Sequence, residues 1–151
     1  MKTRRENDIA TSLLQAGNMI HKSGLNVQPE GLYDVDGRRC DARFEANGNI
    51  VFLEIFAGKD LSYMRNRMLM RDSRIFNRRL GKTSQTIHLI CNDQAFNAFI
   101  NGSTSNVERR LVSISEELDH YTTHNVSILP KNPNKKQFRF VANSINSFLG
   151  F

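Results

Sequence analysis

The chain has little of what marks secreted or membrane proteins. Its 151 residues include two cysteines, Cys40 and Cys91, which are too few for a disulfide framework. Both lie within apolar runs, where a free thiol behaves as a small hydrophobic group. No apolar stretch follows the first five residues, and the longest strongly apolar run, Ile50 to Leu53, is far too short to cross a bilayer. These absences predict a cytoplasmic protein without a signal peptide, a membrane contact or disulfides.

The chain also lacks any internal division. It contains no repeat, no low-complexity tract and no linker rich in proline and glycine. Its residues are 39% hydrophobic and 24% charged, which is typical of a globular domain of this length with an ordinary core. We therefore predict one domain over residues 1–151.

Positive charge is concentrated in one segment. The net charge is +6, and the window from Arg65 to Lys82 carries all of this excess, because seven basic residues in it face a single acid, Asp72. Arginine predominates over lysine there, and its fork of N–H donors suits phosphate groups. The segment predicts a polyanionic partner, with nucleic acid as the first candidate and DNA ahead of RNA. The alternative is a solvated helix face that keeps the protein soluble.

Four arginines of this segment fall in a narrow stripe if residues 61–80 form a helix, since apolar residues then occupy the opposite face. The stripe consists of Arg67, Arg71, Arg74 and Arg78. Such a row can follow a phosphate backbone, so these four are the candidate nucleic-acid-binding residues.

The pattern of apolar and turn residues predicts helices alternating with short strands. Helices are expected over 5–22, 61–80, 94–100 and 106–121, with a final short helix after Phe138-Arg139-Phe140. Extended segments are expected over 25–27, 32–35, 39–46, 49–57, 86–91 and 126–129, with a basic loop at 131–136. This order predicts an α/β sandwich with a mixed sheet.

The dipeptide Asn47-Gly48 is a strong signal for a two-residue hairpin turn, because both residues tolerate positive φ. Opposite residues then have numbers that add up to 95. One face of the hairpin is apolar, which sets the register; its pairs are Cys40 with Ile55, Ala42 with Leu53, and Phe44 with Val51. The pairs on the other face are Arg39 with Phe56, Asp41 with Glu54, and Arg43 with Phe52.

The pair Asp41 and Glu54 is the candidate site. Two carboxylates directly across a strand pair have Cβ atoms about 5 Å apart and repel each other. A divalent cation, a shared proton or a nearby arginine can offset this repulsion. The alternative is a structural ion-pair ladder in which Arg39 and Arg43 neutralise the two acids.

Three acids occur in order along the chain: Glu6 in the first helix, Asp41 on the second strand and Glu54 near the end of the third strand. A basic helix and a buried strand follow them. Over roughly residues 5–92 this order resembles the PD-(D/E)XK nuclease superfamily, nearest to compact archaeal Holliday-junction resolvases and small restriction-type nucleases. The resemblance implies a three-layer-like α-β-β-β-α-β core with a mixed sheet flanked by helices. It also implies that Asp41 and Glu54 hold Mg²⁺ or Mn²⁺, that Glu6 is a further ligand or positions water, and that the protein forms a homodimer.

The sequence departs from the superfamily pattern at two positions. Cys40 stands where a proline is common. Phe56 stands where the motif has the lysine that orients the attacking water and neutralises developing charge. Two basic residues are candidates to replace that lysine: Arg39, predicted opposite Phe56, and Lys59, just past the strand.

Three functions follow from this sequence. The first is a Mg²⁺-dependent DNA endonuclease that cleaves phosphodiester bonds by metal-activated water, with Asp41, Glu54, Lys59, Glu6 and Arg39 as its catalytic residues. The second is a catalytically silent member of the same fold that binds nucleic acid or a protein, which Phe56 favours. The third is an RNA- or protein-binding α/β module in which the acid pair is incidental.

Three further sequence features do not indicate a functional site. Gly81-Lys82-Thr83-Ser84 resembles the end of a P-loop, but Phe76 occupies the required glycine position and a helix precedes the motif. His120 and His124 have a helical metal-binding spacing without a third ligand. His88 is interpreted as a core histidine.

Overall fold

Within the residues that the computed structural model describes, 4–29, 39–58, 84–101 and 123–151, five strands form one sheet in chain order. They are β1 (Asn26–Pro29), β2 (Ala42–Ala46), β3 (Asn49–Phe56), β4 (Ser84–Cys91) and β5 (Thr123–Leu129). The first three strands pair antiparallel, whereas β3, β4 and β5 pair parallel. The predicted α/β class with a mixed sheet is therefore confirmed.

Three helices accompany the sheet in the described part of the chain: α1 (Arg4–Ala16), α2 (Asp93–Ile100) and α3 (Lys135–Phe148). Helices α1 and α3 pack against each other and against β3. The predicted helices over 61–80 and 106–121 and the extended segment 32–35 lie outside the described residues. None of the described helices has the length and apolar character that a bilayer crossing requires.

The β2–β3 hairpin has the predicted turn. Asn47 and Gly48 both have positive φ, 54° and 76°, as the tight turn requires. The predicted register holds along the ladder, from Ala46 opposite Asn49 to Ala42 opposite Leu53. The turn is also anchored to the end of the chain, because Asn47 Nδ2 donates a 2.7 Å hydrogen bond to the Leu149 carbonyl.

One face of the sheet forms the main core with α1 and α3. Buried apolar side chains at alternate positions of β2, β3 and β4 meet the buried faces of the two helices, as the alternation along each strand dictates. From the hairpin these are Ala42, Phe44, Ala46, Val51, Leu53 and Ile55, and from the helices Ile9, Ala10, Leu13, Phe138, Val141, Ala142 and Ile145.

Helix α1 ends at Ala16, so the predicted extension to residue 22 is wrong. Asn18 adopts a left-handed conformation with φ of 50°, and the amide of Met19 donates a 3.0 Å hydrogen bond to the Leu14 carbonyl. This left-handed helix end turns Met19 into the core. Gly17 is needed there, because a Cβ on it would approach Ala142 Cβ to 2.8 Å. The end of α1 therefore lies directly against α3.

Helix α3 starts earlier and is longer than predicted. It begins at Lys135, inside the segment predicted to be a basic loop, and extends over 14 residues. Asn134 caps it: the Gln137 amide donates to Asn134 Oδ1 at 2.8 Å, and the Asn134 amide donates to Gln137 Oε1 at 2.9 Å. This reciprocal capping box satisfies two amides that a helix start otherwise leaves without partners.

Candidate active site

The strand that carries Asp41 is bulged. The Asp41 amide donates a 2.9 Å hydrogen bond to the Leu53 carbonyl, although Ala42 is the residue paired with Leu53. Two consecutive residues of this strand thus oppose one residue of β3, which is the arrangement of a β-bulge. The regular ladder ends at Ala42, so the predicted strand over 39–46 is three residues too long at its start.

The bulge corrects the predicted position of Cys40. Instead of facing Ile55 in the main core, Cys40 packs with Phe52 and Ile50 in a second cluster. The extra residue at the bulge shifts the alternation of side chains, which the predicted register had continued through Cys40. The predicted cross-strand pair of Asp41 with Glu54 is wrong for the same reason, because the ladder ends at Ala42 opposite Leu53.

The Asp41 carboxylate bonds to the neighbouring strand. Its Oδ2 atom accepts a 2.6 Å hydrogen bond from the Ile55 amide, and the residue is only 6% exposed. The side chain thereby satisfies a backbone donor of β3 beyond the end of the ladder. This bond uses one of the roughly four acceptor positions of a carboxylate.

Glu54 is buried in β3, immediately before Ile55, with 1% of its surface exposed. Its partner in the parallel register with β4 is His88, which is completely buried. The ring of His88 stacks on Phe56, with centroids 6.1 Å apart and an interplanar angle of 29°. Burial agrees with the core position predicted for His88, but the sequence did not indicate that it adjoins Glu54.

The two acids affect a common neighbour. Burial, and in smaller measure the negative charges of Glu54 and then Asp41, raise the pKa of the Cys40 thiol to about 12. The Cys91 thiol also has a pKa of about 12, but there burial is the cause and the charge of Arg5 opposes it. Asp41 and Glu54 are therefore close enough to Cys40 for both carboxylates to act on the same thiol.

Glu6 lies in the first turn of α1, on the buried face that continues through Ile9 and Leu13. It is 6% exposed. The described ranges contain no group of three or more His, Cys, Asp or Glu side chains that could hold a metal ion. Within these ranges the candidate ligands are the pair Asp41 and Glu54, and the role of Glu6 stays a prediction.

Two of the candidate basic residues, Arg39 and Arg43, lie within the described part of the chain. Arg39 is exposed and forms a single β-bridge before β2. Arg43 Nη2 donates a 3.2 Å hydrogen bond to Glu45 Oε2, and its guanidinium carbon lies 5.5 Å from the centre of the Phe52 ring. Lys59, the candidate to replace the motif lysine, lies outside the described residues. So does the arginine stripe, which consists of Arg67, Arg71, Arg74 and Arg78. The ion-pair ladder of Arg39 and Arg43 with the acid pair also stays a prediction.

A buried asparagine fixes the chain where it leaves β3. Asn92 Nδ2 donates a 3.1 Å hydrogen bond to the Gly58 carbonyl, and Asn92 Oδ1 accepts a 2.9 Å bond from the Ala95 amide at the start of α2. One side chain thus caps α2 and holds the residue before Lys59. The sequence signal was available, because Asn92 precedes a predicted helix, but its link to Gly58 requires the fold.

A basic groove lies between α1 and α3. Its volume is about 460 Å³, and it is lined by Ser12, Gln15, Ala16, Pro133, Lys135, Phe138 and Arg139. Lys135 and Arg139 are one turn apart and exposed, and no acid is among these lining residues. The basic segment predicted to be a loop therefore contributes two cations to a concave surface.

His124 lies on β5, so the helical metal-binding spacing suggested by His120 and His124 does not apply.

No protein-family model, curated protein or solved structure matches the chain.

Proposed function

We propose that the protein is a DNA endonuclease dependent on Mg²⁺ or Mn²⁺, of the PD-(D/E)XK kind. The observation that carries this proposal is that Asp41 and Glu54 are both buried, at 6% and 1% exposure, and that both carboxylates act on the Cys40 thiol where the hairpin ladder ends. Burying carboxylates is costly unless a cation or hydrogen bonds compensate for it. Bulges also occur often beside active sites, where they redirect a side chain.

The donor set suits the metal. Mg²⁺ prefers hard oxygen ligands and is usually held by one or two carboxylates, with water and substrate phosphates completing its coordination. Asp41 and Glu54 would hold it. When bound, the metal would polarise the phosphate and lower the pKa of a bound water.

The order of the described elements supports the same superfamily. Helix α1 is followed by three antiparallel strands and then by β4, which is parallel to β3. This agrees with the α-β-β-β-α-β core that the resemblance implies, in which the helix before β4 would be the basic segment.

The remaining roles belong to the protein's own residues. The Ile55 amide orients the Asp41 carboxylate, and the neighbouring strands orient Glu54. Lys59 would supply the positive charge that Phe56 cannot, and Asn92 holds the backbone immediately before it. The arginine stripe would hold the phosphate backbone of the DNA.

One observation favours a second candidate, a silent member of the same fold that binds nucleic acid or a protein. Phe56 is 2% exposed and packs against His88, so an apolar ring occupies the position at which the motif has lysine. Without a basic side chain in addition to the metal, the negative charge that develops on the attacked phosphate would be stabilised less.

The test is a titration of the purified protein with Mg²⁺ and Mn²⁺ on plasmid DNA, branched DNA and single-stranded RNA. We expect metal-dependent nicking or linearisation of DNA that is lost in Asp41→Asn and Glu54→Gln. Glu45→Gln is the matched control, because Glu45 lies on the same hairpin but pairs with Arg43. DNA binding without cleavage under every condition would favour the silent alternative, and no binding to any nucleic acid would exclude the endonuclease and favour a protein-binding role.

A further inference from the structure

The parallel register between β3 and β4 places a histidine beside the proposed metal ligand. Glu54 and His88 are register partners, so their side chains leave the sheet on the same face. Adjacent strands lie about 4.8 Å apart, which brings neighbouring side chains into contact distance. We propose that His88 is a positioning residue that fixes the Glu54 carboxylate; this inference rests on the proposed metal site.

The imidazole is itself held in place. Phe56, two residues after Glu54 on the same face of β3, stacks on the His88 ring at 6.1 Å. Both side chains are buried, at 2% and 0% exposure, so the ring cannot swing into solvent. Stacked aromatic groups of this kind have a defined geometry. The residue that replaces the motif lysine thus contributes to the site by fixing a neighbour of the carboxylate.

The chemistry of the pair suits this role. A neutral imidazole carries one N–H donor in either tautomer, and a carboxylate accepts several hydrogen bonds. Alternate positions of β4 on this face are polar and buried: Ser84, Thr86 and His88. Their register partners on β3 are Ile50, Phe52 and Glu54. Among the three, only His88 adjoins an acid.

Residues that orient metal ligands affect metal binding without touching the metal. Loss of such a partner typically reduces metal affinity by roughly 10- to 100-fold, because the ligand is no longer fixed in the binding orientation. His88→Leu should therefore weaken Mn²⁺ binding to the nucleic-acid-free protein by about this factor. His88→Asn and His88→Gln each place an amide donor near one ring nitrogen, and we expect one of them to restore most of the affinity.

Thr86→Val is the matched control. Thr86 is equally buried, one position earlier on the same face of β4, and its partner is Phe52. The substitution removes a buried polar group without changing the neighbour of Glu54. We expect Mn²⁺ affinity within about twofold of the wild type, since the ligand keeps its orienting partner.

The measurement is calorimetric titration with Mn²⁺, combined with a metal-free double-mutant cycle of His88→Gln and Glu54→Gln on the unfolding equilibrium. The cycle should show coupling of about fivefold or more in the unfolding constant, as expected for residues in contact. Two results together would overturn the inference: His88→Leu binds Mn²⁺ with wild-type affinity, and the coupling is below about twofold. If the leucine variant does not fold, the affinities of His88→Asn and His88→Gln take its place. A wild-type protein that binds no Mn²⁺ would instead overturn the proposed function. The metal-free double-mutant cycle would then show by itself whether His88 positions the Glu54 carboxylate.

Discussion

The Asp41 carboxylate accepts a 2.6 Å hydrogen bond from the Ile55 amide, so a side chain joins the two hairpin strands beyond the end of their ladder. The bond holds the carboxylate in one orientation in the absence of any ligand. Ile55 directly follows Glu54, so the bond ties Asp41 to the part of β3 that carries the other acid of the proposed metal site.

This relationship predicts that the structural and metal-binding roles of Asp41 can be separated. Asp41→Ala leaves the buried Ile55 amide without its acceptor and should cost about 1–3 kcal/mol of unfolding free energy. Asp41→Asn keeps an oxygen acceptor and should cost less. Mg²⁺ or Mn²⁺ should raise the Tm of the wild type, and both variants should lose that rise. Urea unfolding and thermal melts with and without metal measure the two effects, and an unchanged metal response in both variants would refute the site.

The proposed nuclease function requires a basic group that Phe56 does not provide, and this leads to a second prediction. Lys59→Ala should reduce cleavage by at least about two orders of magnitude, roughly 3 kcal/mol of transition-state stabilisation, with DNA binding nearly intact. Arg39→Ala should show this loss instead if Arg39 supplies the charge. If the wild type does not cleave, Phe56→Lys becomes the informative variant, because restored cleavage would show that one group had been lost. Single-turnover kinetics and a separate binding assay distinguish these outcomes.

The arginine stripe should supply phosphate contacts. The double variant Arg67→Gln with Arg71→Gln should weaken binding equally on all DNA sequences and lower the slope of log affinity against log salt by about one unit per lost contact. Arg65→Gln with Arg79→Gln removes the same charge but lies off the predicted stripe, so it is the control. Equal effects of the two double variants would mean that only net charge matters.

The groove between α1 and α3 should provide a second phosphate contact. Lys135→Gln with Arg139→Gln should lower the salt slope by up to about two units. Lys131→Gln with Lys136→Gln removes two exposed charges from the same segment without changing the groove lining. A larger effect of the control pair would exclude the groove as a binding surface. Fluorescence anisotropy at several salt concentrations is the suitable measurement.

The buried thiols predict a pH dependence of stability. Burial raises the pKa of Cys91 from 9.0 to about 12, so the folded protein keeps the thiol neutral where the unfolded chain ionises it. This contribution to the unfolding free energy is fully present below pH 9 and is lost as the pH rises towards about 12. Urea unfolding between pH 8 and pH 10.5 should therefore show a weaker pH dependence in Cys91→Ala than in the wild type. Identical slopes would contradict the assigned pKa.

Local patterns in the sequence were enough to predict much of the hairpin. Asparagine and glycine both tolerate positive φ, so Asn47 and Gly48 indicate the turn. The alternation of apolar residues then leaves one register that buries the apolar side chains, and the structure has this register as far as Ala42 and Leu53. The start of α3 was also encoded locally, in the reciprocal bonds of Asn134 and Gln137, although the basic residues there were interpreted as a loop.

What the sequence could not determine depends on contacts between distant parts of the chain. At the bulge the Asp41 carboxylate accepts a bond from Ile55, and Cys40 lies on the other face of the sheet from the main core. The need for glycine at position 17 depends on the close approach of α1 to Ala142, and the partner of Glu54 depends on the parallel pairing that brings His88 beside it. Turn geometry and alternation are properties of neighbouring residues, whereas these contacts form only when the whole chain packs, because each joins segments that no local preference brings together.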